Sequence, residues 1–356
     1  MKLIFVPGQR PDYVRNSVLV KGLERNDVEV IQCGVDSSRY PTRMIRSMLN
    51  FISAKSSEEA DAVIVGFYGQ PLVPLVRRIT DLPIIFDAFL STYDTLCYER
   101  RTFRSDSPLC RLFYSMDKTS CMKSEVVLLD TNAHIDYFVQ TFGLDRNRFV
   151  RVLVGADDEV FRPSRLDTNS SKFVVFFHGT YRPVQGIDVV IKAAQLLVDH
   201  RDIVFRVIGR GPEKTRIMRE VAELGLKNME IVEWVPYDEL PREIEKSNVC
   251  LGGHFSTIDK ANRVIAGKTF QYLAMRRPVI VGDNPANREL FQDHKNVLMV
   301  KNGDCEDLAN AVLALRSDAS LASRIANEGY QLFAEKCTPS IIGRGLKQSI
   351  ERSIGA

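Results

Sequence analysis

The sequence predicts an α/β chain made of two doubly wound domains in tandem. Three observations carry that prediction. Short β-rich runs alternate with longer helical patterns along nearly all 356 residues. The runs Val63-Ile64-Val65 and Val126-Val127-Leu128-Leu129 are apolar without alternation, as strands covered on both faces are. The same rhythm then starts again after a polar stretch in the middle of the chain.

In the first half, strands are expected at Lys2–Val6, Val28–Gln32, Asp61–Phe67, Pro83–Phe86, Glu125–Leu129 and Phe149–Val154. Helical patterns such as Tyr13–Arg25 and His134–Phe142 lie between them, so right-handed crossovers and a parallel sheet follow. From Asp157 to Ser171 the text turns polar, DDEVFRPSRLDTNSS, and reads as a linker. Beyond it come strands at Lys172–Phe177, Ile203–Ile208, Met229–Val232, Val249–Leu251, Pro278–Val281 and Val297–Val300, with a helix over Val184–Val198. The last three helices, near Cys305–Arg316, Ala319–Lys336 and Pro339–Ile354, have no strands between them. Two Rossmann-like domains facing across a cleft are expected: residues 1–163, residues 171–337, and a C-terminal helix at 338–356 returning to the first domain.

Composition removes several function classes. A 45% hydrophobic and 26% charged chain is an ordinary globular one, neither disordered nor fibrous. Lys+Arg 48 against Asp+Glu 45 leaves +3, too little for a nucleic-acid binder. No apolar run is long enough to span a membrane, and MKLIFVPGQR reaches Pro7 and Gly8 too early for a secretion signal. The seven cysteines are scattered with no C-x-x-C, which reads as buried thiols in a reducing cytosol rather than a zinc site or disulfides. A cytoplasmic location is therefore expected, either free or at the inner face of the membrane.

In open α/β sheets ligands sit beyond the carboxyl ends of strands, so the residues there are the candidates. After the first strand come Gly8, which lets backbone approach a ligand, and Arg10, which could reach an anion. After the fourth comes Asp87, a candidate to orient a hydroxyl or act as a base; the plainer reading of this stretch is a helix N-cap, for which Ser91, Thr92 and Asp94 are all suited. In the second half, His178, Gly179, Thr180 and Arg182 lie where a strand gives way to a helix, and helix amides there attract phosphate. Gly209 and Arg210 suit a tight turn or a passing nucleotide. His254 follows another strand and leads through Lys260 and Arg263 to Lys268. Lys268 falls in the first turn of a helix, where a cation opposes the dipole unless an anion is bound. Glu289 could accept from sugar hydroxyls.

These segments resemble the retaining glycosyltransferases of the two-Rossmann-domain (GT-B) class, the large group 1 or family 4 set. Val154-Gly155-Ala156-Asp157 with Phe161-Arg162-Pro163 is similar to its domain-joining "NGvD…F.P". Gly179 through Gln185-Gly186 is similar to "G…KG…li.A", and Val207–Pro212 to "ivGxGp". Ala274-Met275 with Pro278-Val279-Ile280 and Glu289 is similar to "AmaxGxPVi…E". The departures are as specific. Thr180 and Gln185 stand where most members carry an Arg and a Lys, and Arg263 and Gln271 stand where they carry paired glutamates. Lys260, Arg263, Val264, Ile265 and Lys268 instead resemble a subgroup with "K…rVIpxK".

The resemblance implies transfer of a sugar from a nucleotide diphosphate sugar to a hydroxyl of a glycan or lipid-linked acceptor, for cell-surface glycan synthesis, with retention and without metal or other cofactor. It places Arg263 and Lys268 on the diphosphate and gives Gln271 a neutral hydrogen bond to the donor. A non-catalytic partner subunit and a nucleotide-sugar 2-epimerase share the architecture and stay open. Arg100, Arg101, Arg104 and Arg111 among Leu96, Tyr98, Phe103, Leu109, Leu112, Phe113 and Tyr114 could give a peripheral membrane contact, or simply a solvated basic helix face.

Overall fold

Both sheets reverse direction partway along, which is what doubly wound topology means in space. The computed structural model describes residues 1–163 and 172–355. The first sheet has strands β1 (Lys2–Pro7), β2 (Glu29–Gln32), β3 (Ala62–Gly66), β4 (Ile84–Asp87), β5 (Val126–Leu129) and β6 (Phe149–Arg151). All pairs are parallel, in the order β2-β1-β3-β4-β5-β6. Between them run α1 (Val14–Glu24), α2 (Tyr40–Ser57), α3 (Val73–Ile79), α4 (Pro108–Met122) and α5 (Asn132–Phe142). Side chains alternate along a strand, so a sheet buried on both sides needs apolar residues at every position. In β1, Ile4 and Val6 pack with α2 through α5, whereas Leu3 and Phe5 pack on the opposite face with α1.

The second sheet has β7 (Phe173–Thr180), β8 (Ile203–Arg210), β9 (Met229–Val232), β10 (Val249–Gly253), β11 (Val279–Asp283) and β12 (Leu298–Lys301), ordered β12-β11-β10-β7-β8-β9. Its helices are α6 (Ile187–Leu196), α7 (Lys214–Glu223), α8 (Leu240–Glu245), α9 (Gly267–Ala274), α10 (Pro285–Arg288), α11 (Cys305–Ser317) and α12 (Ala319–Lys336). Twelve strands were expected, and among the described residues twelve are present, each within a few residues of its expected place.

The last helix, α13 (Pro339–Ile354), belongs with the first domain. It crosses α1 at a contact of two glycines. A Cβ on Gly343 would lie 2.0 Å from the Gly22 carbonyl, so the crossing exists only because both side chains are absent. Ile342, Leu346 and Ile350 then fill the core beneath α1.

The two units meet in sequence between Gly155 and Ala156, ahead of the expected boundary at 163. The reason is packing: Ala156, Asp157 and Phe161 are buried, and the Phe161 ring meets Tyr237 edge-on at 5.3 Å. Residues 164–171 of the expected linker lie outside the described residues.

Two further expectations change. The helix expected over Val184–Val198 is broken. Pro183–Gln185 forms one tight turn, Gly186 sits at φ +69, and α6 starts only at Ile187. A side chain at 186 would be both strained and 2.5 Å from the Ser256 nitrogen. Nor are all seven cysteines thiols. Cys97 and Cys110 form a disulfide, with Cα atoms 6.1 Å apart. Cys97 lies in a wide π-helical turn at Asp94–Glu99 and Cys110 in the first turn of α4, and the loop between them folds back on itself. Cys33, Cys121, Cys250 and Cys337 are buried thiols, and Cys305 is a half-buried one. Among the described residues no helix is long and apolar enough to cross a membrane.

Candidate active site

The second sheet changes direction between β7 and β10, which pair directly. At such a reversal the loops leave neighbouring strands on opposite faces, and a crevice opens at the carboxyl ends. His178 lies at the end of β7, His254 just past β10, and α9 begins there at Gly267. The structure therefore gathers His178, His254, Lys268 and Gln271 at one place.

Lys268 is 8% exposed and has no carboxylate partner among the described residues. Its Nζ lies 3.8 Å from the centre of the Phe177 ring and donates to Oε1 of Gln185. A quadrupole and a neutral amide are weak compensation for a charge removed from water. Burial accordingly pushes the ammonium well below its ordinary value of 10.5.

The two histidines share that environment. Burial, then the charge of Lys268, pushes His178 down to about 3, and burial, then Lys268 and Lys260, does the same to His254. Both are thus neutral. His178 Nδ1 is 2.7 Å from the Tyr272 hydroxyl, which also accepts from the His178 amide at 3.1 Å. His254 Nδ1 is buried with no hydrogen-bond partner, and so is Oε1 of Gln271. Gln271 lies against both His178 and Tyr237. Lys268, Gln271 and Tyr272 stand at helical positions i, i+3 and i+4, so one face of α9 supplies all three.

The neighbouring candidates surround this point less directly. Lys260 and Arg263 come from a single turn at Asp259–Asn262, both buried, and Arg263 pairs with the exposed Asp259. Gly179 is half-buried, and a Cβ there would lie 3.1 Å from Lys268 Nζ. Thr180 is half-buried as the last residue of β7, Arg182 is half-buried on the loop that follows, and Glu289 is half-buried at the end of α10. Gly209 pairs in register with Gly179, and its missing side chain is accounted for by packing: a Cβ would lie 2.3 Å from the Gly179 carbonyl. Arg210 is exposed and stacks 4.7 Å over Trp234.

In the first domain the candidates are differently engaged. Gly8 is buried, and a Cβ there would lie 2.2 Å from the Tyr68 carbonyl, so the glycine serves a close backbone contact. Arg10 pairs with Asp12 and Asp36. Asp87 is wholly buried and takes a forked hydrogen bond from Arg15, itself wholly buried, at 2.8 and 3.0 Å. Arg15 also donates to the carbonyls of Val152 and Leu153, and so ties β4 to the end of the first domain. Asp87, expected as a candidate base, thus has both oxygens engaged by Arg15 and lies out of reach of solvent.

Sequence reasoning missed Gln185 as the partner of Lys268, Tyr272 as the holder of His178, and Arg15. For Tyr272 a signal existed, since it lies four residues from Lys268 on a predicted helix. For Arg15 there was none, because a lone arginine in a helix reads as surface.

Comparison with known proteins agrees with this picture. Residues 172–318 match the family model for glycosyl transferases group 1. The alpha-D-kanosaminyltransferase of Streptomyces kanamyceticus is 23% identical over 297 residues, which cover 79% of this chain and 73% of that one. Among solved structures, Anabaena HepE in complex with UDP superposes with a TM-score of 0.75 at 14% identity, over 99% of this chain and all of that one. Sucrose-phosphate synthase from Thermosynechococcus elongatus gives 0.77 at 12% identity, over 99% of each chain. At such identities the two structures speak for the fold, a two-domain α/β architecture, and the model match speaks for the family. Over residues 172–318, its second domain, the chain is similar to the group 1 glycosyltransferases.

Proposed function

We propose that this glycosyltransferase moves a sugar from a nucleotide diphosphate sugar to an acceptor hydroxyl, on a glycan or a lipid-linked glycan, with retention of configuration and without a metal ion. The observation that carries the reading is Lys268: a buried ammonium at the sheet's reversal point, held by a neutral amide and an aromatic face, next to a neutral histidine with an unpartnered nitrogen. Such a site is incomplete without an anion. HepE, solved with UDP and with UDP-glucose, supports a diphosphate donor as that anion.

The chemistry follows from where charge develops. The bond from the anomeric carbon to the diphosphate oxygen breaks, and its electron pair stays on phosphate. The acceptor oxygen bonds to the same face of that carbon, and its proton passes to the departing phosphate oxygen. Lys268, with Arg263 and Lys260 beside it, meets more charge in the transition state than in the ground state, which is the condition for catalysis. Gln271 and His254 offer neutral hydrogen bonds to the donor, and Glu289 can accept from sugar hydroxyls. A cation and a neutral amide, Arg263 and Gln271, in the place of the family's glutamates support neutralisation by side chains rather than by metal.

The test is a thermal-shift panel of UDP, GDP, ADP, CMP and TDP on wild type and Lys268→Ala, followed by turnover with the sugar of the nucleotide that binds. A ligand bound only by the native state at a hundredfold excess over its Kd adds about 2.7 kcal/mol. One nucleotide stabilising wild type and not the variant, followed by acceptor-dependent transfer with retention, is the expected result. Free nucleotide released with an epimerised sugar, or no nucleotide bound at all, overturns it.

A further inference from the structure

We propose that Arg210 and Trp234 form a stacking pair for the nucleobase of the donor, and so a specificity element of the site. The proposal rests on the reading of Lys268 as the group that meets the donor diphosphate. Trp234 is the sole tryptophan of the chain and is 41% exposed, a large aromatic surface left in water. The Arg210 guanidinium lies 4.7 Å from the centre of its ring. A planar cation beside an indole is a surface on which any flat heterocycle can stack. Among the described residues of the second domain, only Trp234 and Tyr237 are exposed aromatics, and Tyr237 is already engaged by Phe161 and Gln271. Arg210 fills the variable position of the Val207–Pro212 motif, and Trp234 lies outside every motif quoted above. The pair is thus a feature of this chain.

Strand register fixes where this pair stands relative to Lys268. Gly179 of β7 pairs with Gly209 of β8, and Thr180 with Arg210. On the other side of β8, Ile208 pairs with Val232 of β9, and two places further on Arg210 meets Trp234. Lys268 Nζ lies 3.1 Å from where a Cβ on Gly179 would be, so the ammonium stands at the end of β7. The indole stands beyond the end of β9, two strand spacings away, which is about 10 Å. That is the reach of a nucleoside between its phosphate and its base. Gly179 and Gly209 carry no side chain, and the crest is bare where a ribose would cross. Glu233, the neighbour of Trp234, is paired with Lys214 and offers no lone charge to a neutral base.

With one tryptophan in the chain, all indole emission comes from Trp234. Emission and calorimetry are recorded in parallel with UDP, GDP, ADP, CMP and TDP, and with pyrophosphate, which carries the charge and no base. The nucleotide that binds changes the emission by at least about a third, and pyrophosphate leaves it unchanged. Trp234→Ala weakens that nucleotide at least about tenfold, whereas Trp234→Phe holds it within about threefold of wild type. Both variants keep the wild-type melting temperature, since the position is exposed. A nucleotide bound by Trp234→Ala as tightly as by wild type overturns this proposal and leaves the reading of Lys268 standing. So does a nucleotide bound without change in emission, or an equal change with pyrophosphate. Binding of none of the five overturns both.

Discussion

Lys268 donates to Gln185, a hydrogen bond that joins α9 to the turn ahead of α6 and gives a buried ammonium a neutral partner. A second lysine at this distance would repel the first, so a neutral amide at 185 suits the ammonium at 268. The site then stores an unfavourable, desolvated charge in the absence of ligand.

Removing that charge therefore separates stability from function. Lys268→Met should stabilise the ligand-free protein by about 0.5–2 kcal/mol and so raise its melting temperature, because the thioether chain fills the same space without desolvation. It should also abolish the nucleotide-induced shift and lower kcat at least about tenfold, the loss expected of one charge contact made in the transition state. Calorimetry with and without nucleotide reads both. A variant that is less stable and still binds nucleotide would mean that Lys268 is structural.

Nucleotide binding should take up protons. Burial holds Lys268 below 10.5 in the empty site, and a bound diphosphate favours the charged form and raises it again. Isothermal titrations near pH 8 in two buffers of different ionisation enthalpy should give different apparent enthalpies, with the sign of uptake by the protein. Equal enthalpies would mean that the ammonium is fully charged without ligand.

Acid should destabilise the protein through His178 and His254. Both are held at about 3 against 6.5 for an ordinary imidazole, first by burial and then by Lys268. Between those values the unfolded chain binds more protons than the folded one, so stability rises with pH from about 3 to 6.5 and falls as the pH drops below 6.5. Each imidazole adds a slope of up to about 1.4 kcal/mol per pH unit. Urea midpoints from pH 7 to 4 should fall steeply for wild type and less steeply for His178→Asn. An unchanged slope in that variant would place the acid sensitivity elsewhere.

The parts of this architecture that were legible in the sequence are the parts governed by local rules. Strand runs such as Val126–Leu129 declare themselves by unbroken apolarity, and α12 and α13 by spacing and by Asp318 and Thr338 as caps. Lys268 was legible because it breaks a local rule at a helix start. What stayed hidden depends on contacts distant in sequence. Arg15 meets Asp87 across 72 positions, and Lys268 meets Gln185 across 83. Neither partner carries a local signal. The disulfide was hidden for a related reason: its cysteines are thirteen positions apart, and only a loop that folds back brings them together.

The Arg15–Asp87 pair should prove structural. Asp87→Asn leaves a guanidinium buried without its counter-charge and should cost about 3–5 kcal/mol, so the variant unfolds early. The double variant Arg15→Met/Asp87→Leu removes both charges and should recover most of that stability. If Asp87 were instead a catalytic base, the single variant would keep its melting temperature and lose kcat, and the double variant would rescue neither. Thermal melting and turnover of the three proteins decide between these patterns.

The Cys97–Cys110 bond closes a loop over the segment that joins the π-helical turn to α4. A closed loop of this size removes conformations from the unfolded chain and is worth about 3 kcal/mol by loop-closure entropy. Reduction, or Cys97→Ser, should therefore lower the melting temperature. The loss should be felt first near Tyr93 and Tyr98, whose rings meet at 5.2 Å beside the bridge. Hydrogen exchange before and after reduction should show faster exchange over residues 94–110, with the second domain unaffected. Peptide mapping without reductant should recover the two cysteines in one cross-linked fragment. Separate fragments with alkylated thiols would mean that both stay reduced, and the segment would then be held by hydrogen bonds such as the Ser107 cap and the buried Ser91–Asp117 contact.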